Sequence, residues 1–198
     1  MYKHIVKRLI DMILSGIAIV VFAIPMMLIA IAIKIEDPGP ILFKQRRVGQ
    51  KKNGQITYFM IWKFRSMKMC TPCDVPTHLL ENPEQYITRV GKFIRKTSLD
   101  ELPQLYQVFT SKLSAIGPRP ALWNQTDLIA EREKYGANDV KPGITGWAQI
   151  NGYRGNTSIR KRIDHDLYYI ENWTVGFDIK ILFLTFFKGF VNSFYLFL

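Results

Sequence analysis

The residues best placed to do chemistry are two adjacent carboxylates, Asp100 and Glu101, in the run Thr97-Ser98-Leu99-Asp100-Glu101-Leu102-Pro103-Gln104. One reading of them is purely local. Ser98-Leu99-Asp100-Glu101 has the form of a capping box, and acidic side chains favour a helix N-terminus. The surroundings supply another reading. Arg95 and Lys96 lie just upstream, and Gly117-Pro118-Arg119-Pro120 downstream forms a stiff loop presenting one guanidinium between two prolines. Carboxylates, a guanidinium and the free N–H groups of a helix start together suit phosphoryl transfer, where catalysis is mostly positioning and charge stabilisation.

Other candidates are weaker. Lys141-Pro142-Gly143-Ile144-Thr145-Gly146-Trp147 and the residues up to Gly152 form a turn-rich run whose glycines permit close backbone approach. It lacks the Gly-Lys-Ser/Thr of a Walker loop. Arg154 follows, within reach of a further phosphate oxygen. Asp164-His165-Asp166 offers metal-binding atoms, but reads more simply as acidic residues on a solvated helix face. Cys70 and Cys73, with His78 downstream, are too few for a four-cysteine zinc site and lack the βαβ context of a redox motif, so they read as an ordinary reduced loop.

The elements that must position these residues are mixed. Residues 41–43 and 56–64 read as extended, with Asn53-Gly54 a turn between them. A short helix closes over 91–96. A second is expected to start near Ser98 or Asp100 and to bury Leu102, Leu105, Tyr106 and Phe109 at i, i+3, i+4 and i+7. Pro103 falls in its first turn, where the missing N–H costs nothing. The fold class is α+β, predominantly helical.

Both ends are membrane-prone. Residues 12–33 carry no charge across 22 positions; as one helix they would span about 33 Å, enough to cross a bilayer core. Pro25 interrupts the run, and cations flank both ends: Lys3, Lys7 and Arg8 before, Lys34 and a basic block after. That block has eight Lys or Arg between Pro38 and Cys73 and no Asp or Glu. A re-entrant hairpin, with both flanks cytoplasmic, and a simple span both fit; a cleaved signal has a shorter apolar region. Residues 179–198 read as an interfacial helix with a narrow polar stripe of Thr185, Lys188, Gly189, Asn192 and Ser193. The net charge of +11 calls for anionic partners. No nucleic-acid-binding motif is present, which leaves a non-catalytic, basic membrane-surface module as the alternative to an enzyme.

Four pieces in order, Trp62-Lys63-Phe64-Arg65-Ser66-Met67, Thr97 to Gln104, Gly117 to Pro120 and Lys141 to Trp147, give the chain a resemblance to the monotopic phosphoglycosyl transferases. These are also called bacterial sugar transferases or undecaprenyl-phosphate sugar phosphotransferases, and the chain resembles their small single-domain form. The resemblance implies a re-entrant hairpin over residues 1–36 and a catalytic domain over 37–198 on the cytoplasmic face of the bacterial inner membrane. It implies that Asp100 attacks a UDP-sugar, expels UMP and passes the phosphosugar to polyprenyl phosphate by a ping-pong route, the first membrane step of glycoconjugate assembly. Glu101, with Asp100, would hold Mg²⁺. Arg119, Lys63, Arg95 and Arg154 would neutralise phosphate charge. Where the family breaks its membrane helix at Ser-Pro, this chain has Ile24-Pro25. It also ends at Leu198 without the polar tail many relatives carry, as a shortened form would. The sugar, the polymer and the oligomeric state, a homodimer among the options, are left open.

Overall fold

The computed structural model describes residues 5–71, 82–153 and 157–194. Helices and strands are mixed, with nearly half the chain helical and two separate two-stranded sheets.

Helix α1 (Lys7–Val21) and α2 (Ala23–Glu36) meet at 59°. The break falls at Phe22, three residues before Pro25, which therefore sits in the first turn of α2. A proline ring clashes with the carbonyl four residues earlier, so the chain bends ahead of it. Among the described residues no single helix is long and apolar enough to cross a membrane; α1 and α2 reach that length only as a bent pair. Their outer faces expose Ile13, Ile17, Val20, Ile24, Leu28 and Ile31.

The inner face of α1 is polar. Lys7, Asp11 and Ser15, one turn apart, are all buried. Lys7 Nζ lies 2.8 Å from Asp178 Oδ2 and 3.6 Å from Asp11 Oδ1. Asp11 accepts from Ser114 Oγ and from the Ala115 backbone, and Asp178 accepts from Tyr169 Oη. Arg8 donates to the last carbonyls of α4 (Gln104–Phe109), at 2.7 and 2.6 Å. Two of the cations counted as flanking charges, Lys7 and Arg8, thus bind the body of the protein.

Strands β1 (Leu42–Lys52) and β2 (Gln55–Phe64) form an antiparallel hairpin around Asn53-Gly54, both at positive φ. After α3 (Arg89–Lys96), a 3-10 turn over Leu99–Glu101 precedes α4. Strands β3 (Ser114–Ile116) and β4 (Gly143–Thr145) pair in parallel, with α5 (Thr126–Lys134) between them. The short α6 (Trp147–Ile150), α7 (Ile159–Glu171) and α8 (Val175–Phe194) complete the order.

Several expectations are corrected. Tyr106 and Phe109 are exposed, and α4 instead buries Gln104, Gln107 and Val108. Gln107 is satisfied by β2, accepting from Trp62 N and donating to Met60 O, so a polar residue forms the inner face at little cost. Asp164 is exposed as expected, but Asp166 faces inward on α7 and pairs with Arg132 at 3.2 Å. Thr185 does not belong to an outer stripe; its Oγ1 lies 2.8 Å from that of Thr145, while Phe183, Phe186 and Phe187 are exposed. Cys70 is exposed and free; Cys73 and His78 lie outside the described residues, as does Arg154.

Candidate active site

Ser98 is left-handed, with φ of +58°, and makes no capping hydrogen bond; α4 starts six residues later, at Gln104, with Pro103 at its cap. The capping-box reading therefore fails, because a residue at this φ cannot place its hydroxyl over the following N–H groups. Asp100 and Glu101 instead ride on the tight 3-10 turn. Leu99 and Leu102 on either side pack down against Phe64, Ile94 and, from α2, Met26, Ile29 and Ile33. Burying such side chains stabilises by about 1.5–3 kcal/mol each when complete. The two leucines fix the turn, and the two carboxylates face the end of β2.

There Lys63 Nζ is shared between them. It lies 2.6 Å from Glu101 Oε1 and 3.7 Å from Asp100 Oδ2. Arg119 adds a second cation to the same Glu101 oxygen at 3.2 Å. Burial alone would raise the Glu101 pKa, but Arg119 and Lys63 outweigh it and hold the group at about 2. Asp100 goes the other way: burial raises its pKa, Lys63 and Arg95 oppose the rise, and Glu101 adds to it. Neighbouring carboxyls are thus driven apart. Arg95 donates Nε to Ser66 Oγ at 2.7 Å and acts on Asp100 through space; burial lowers its own pKa.

The Arg119 loop is stapled on both sides. Gly117 N donates to Thr145 O and Gly143 N donates to Pro118 O, while Val48 N on β1 donates to Ala121 O. A Cβ on Gly143 would lie 2.1 Å from Gly117 N, and one on Gly146 2.3 Å from Gly117 O. The glycines of the 141–147 run therefore serve close backbone approach, as expected, and what they admit is the arginine loop.

Three residues that the sequence reading passed over complete the surroundings. Arg132 on α5 and Arg162 on α7 both donate to Arg119 O, at 3.0 and 3.2 Å, and Arg47 on β1 donates to Pro120 O at 3.1 Å. Burial first, then the other guanidiniums, lowers Arg47 and Arg162 to about 10. Strand alternation was the available signal, since it turns Arg47 inward and leaves Arg46 exposed. On α7, Arg162 and Asp166 share the buried face one turn apart.

A divalent cation of the Mg²⁺ type needs one or two carboxylate oxygens plus phosphate and water. The carboxylate pair fits that demand: both cations contact Glu101 through Oε1, and Oε2 has no hydrogen-bond partner among the described residues. No group of three or more acidic, His or Cys side chains suited to a metal occurs among the described residues. Two cavities of about 280 and 270 Å³ lie elsewhere, lined by Lys7, Asp11, Ile116 and their neighbours and not by the carboxylate pair.

Of the predicted site residues, Asp100, Glu101, Lys63 and Arg119 are brought into contact and Arg95 lies in their field. The chain is 43% identical over 203 residues to UDP-glucose:undecaprenyl-phosphate glucose-1-phosphate transferase of Escherichia coli, covering 96% of this chain and 41% of that protein. It is 38% identical to UDP-N-acetylgalactosamine-undecaprenyl-phosphate N-acetylgalactosaminephosphotransferase of Aeromonas hydrophila, over 91% of this chain and 42% of the relative. It is 37% identical to the uncharacterized sugar transferase EpsL of Bacillus subtilis, over 96% and 89%. The chain thus spans about two fifths of the length of the first two and most of the third. The family model for bacterial sugar transferases matches residues 2–192, and the chain belongs to that family.

Proposed function

We propose that this protein is an enzyme that transfers a sugar 1-phosphate from a UDP-sugar to a polyprenyl phosphate, undecaprenyl phosphate by the names of its relatives. The observation that carries the reading is the contact cluster in which Lys63 and Arg119 meet Asp100 and Glu101, with the two neighbouring carboxyls driven apart, one pKa raised and one held at about 2. Titratable neighbours pushed apart take different roles. Asp100, the more basic carboxylate, is the nucleophile, and Glu101 is the fixed anion that arranges the cations.

In the first step an Asp100 oxygen bonds to the β-phosphorus of the donor. The bond from that phosphorus to the bridging oxygen breaks, and the electron pair leaves with UMP. In the second, an oxygen of the polyprenyl phosphate bonds to the same phosphorus, the bond to Asp100 breaks, and the carboxylate is regenerated with a polyprenyl diphosphate sugar as product. A covalent intermediate of this kind gives ping-pong kinetics. Lys63 and Arg119 neutralise charge on the transferred phosphoryl, with Arg95 and Arg154 as further cations. Mg²⁺, held by Glu101 with Asp100, would supply additional charge neutralisation at the phosphates.

The same reading puts residues 1–36 in the membrane as a re-entrant hairpin and residues 37–198 at the cytoplasmic face, with the far part of α8 along the interface. The exposed apolar side chains of α1 and α2 and the phenylalanines of α8 support it. Purified protein given UDP-glucose or UDP-N-acetylgalactosamine, Mg²⁺ and polyprenyl phosphate is expected to release UMP with parallel double-reciprocal plots. Binding to anionic vesicles with no UMP from any donor would favour a non-catalytic membrane module.

A further inference from the structure

The charges of the site form an ordered series. Lys63 lies 3.7 Å from Asp100 and 2.6 Å from Glu101; Arg119 reaches the same Glu101 oxygen; Arg132 and Arg162 donate to Arg119 O, and Arg47 donates to Pro120 O beside it. The nucleophile stands at one end. At the other, four guanidiniums gather on the Arg119 loop (Arg47, Arg119, Arg132 and Arg162), and two carboxylates pair with two of them, Glu101 with Arg119 and Asp166 with Arg132.

Asp166 is already used by Arg132, at 3.2 Å, and Glu101 by Lys63 and Arg119. Arg47 and Arg162 reach neutral acceptors only: Pro120 O and Gln45 Oε1 for the first, Arg119 O for the second. Arg47 Nε is buried with no partner among the described residues. Packing like charges together out of water is unfavourable unless an anion joins them. Three elements converge to do it here: β1, α7 and the loop stapled between β4 and β1.

We propose that Arg47 and Arg162 form an anion subsite for the nucleoside-monophosphate half of the donor, on the side of Arg119 away from Asp100. The assignment rests on the donor chemistry proposed above and adds a direction to it. An in-line displacement needs the leaving oxygen opposite the attacking one. With Asp100 at one end of the series, the α-phosphate falls at the other. When the bond to the β-phosphorus breaks, the departing phosphate gains negative charge, and Arg47 and Arg162 receive it. Arg132, neutralised by Asp166, holds the loop and does not bind.

The experiment is equilibrium binding to the full-length protein in detergent, without acceptor, using UMP, uridine, AMP and pyrophosphate. Arg47→Gln is expected to weaken UMP about 10- to 100-fold, as loss of a charge-assisted hydrogen bond would, and to leave uridine unchanged. Arg47→Lys should recover part of the loss. Arg162→Gln should act in the same direction, and because Arg47 is only half-buried its variants keep the test usable if Arg162→Gln does not fold. Equal UMP affinity in wild type and a folded Arg47→Gln would overturn the proposal, as would a wild type that binds none of the four ligands at millimolar concentration. If AMP or pyrophosphate binds in an Arg47-dependent way and UMP does not, the anion subsite stands and the uridine-nucleotide reading of the donor falls.

Discussion

Replacing Lys63 with Met keeps the apolar stem and removes the cation that two carboxylates share. Glu101 would be left with Arg119 alone, at 3.2 Å, and Asp100 with the field of Arg95 against burial and Glu101. Both carboxyl pKa values rise, Glu101 from about 2 back toward 4.5 and Asp100 above its already raised position. Holding Glu101 at about 2 instead of 4.5 is equivalent to about 3 kcal/mol, supplied jointly by Lys63 and Arg119. Losing the closer contact removes on the order of 2 kcal/mol, below the value for a sealed ion pair because these side chains keep some solvent contact. Separately, losing one cation that would neutralise the transferred phosphoryl is expected to cost on the order of 2 kcal/mol of charge stabilisation in the transition state, a fall in kcat/KM at neutral pH of about 30-fold. The sign of the pH effect follows from the proposed role of Asp100: a nucleophilic carboxylate must be ionised, so the acid limb of the profile is expected to move to higher pH in Lys63→Met. Glu101, with its depressed pKa, stabilises the fold above 4.5 and loses that contribution as pH falls toward 2, so the variant also unfolds more easily at neutral pH. UMP release measured across pH, beside thermal unfolding, reads both effects. An acid limb that stays in place, with less than about 3-fold loss of rate, would refute the idea that Lys63 separates the two carboxyls.

Further tests follow from the same geometry. Asp100→Asn should abolish UMP release yet melt no lower than wild type at neutral pH, because a raised carboxyl pKa means the folded state penalises the ionised form; normal turnover would remove Asp100 as nucleophile. Lys7→Met leaves Asp178 and Asp11 buried without their cation and should lower stability by about 3–5 kcal/mol. Adding Asp178→Leu should recover part of that loss, and no recovery would show that the ion pair is not the cause. Cysteines at the exposed positions Ile5 and Ile35 should both resist a membrane-impermeant reagent applied from the periplasm. Labelling at Ile5 alone would convert the hairpin into a span.

Strand β2 and the Asn53-Gly54 turn were legible because turn chemistry and alternation are local, whereas only the first residues of β1, expected over 41–43, were. So was the carboxylate pair, whose arginine-rich surroundings outweighed the helix-cap pattern. What stayed hidden depends on partners distant in sequence. Gln107 is buried because β2 offers it a donor and an acceptor, and no periodicity in 104–109 announces that. Asp166 looked like a solvated acid because its cation, Arg132, sits on another helix. Arg47 lay in a block of cations read as flanking a membrane segment, and only the length of β1, running on to Lys52, turns it toward the Arg119 loop. Lys7 illustrates the same limit. As a flanking charge it spoke of topology, whereas its neighbours make it an internal rivet.

That rivet has a consequence for how substrates meet. With α2 forming the floor beneath Leu99 and Leu102, and α1 pinned through Lys7 and Asp11, Asp100 has no slack relative to the two helices. If the hairpin proposed above lies in a bilayer, the height of Asp100 over that bilayer is a built-in dimension, like the stylus of a fixed-arm instrument. Under the proposed function a lipid-borne acceptor would have to rise to that height, and lengthening or shortening either helix by a turn would move the whole workbench out of its reach.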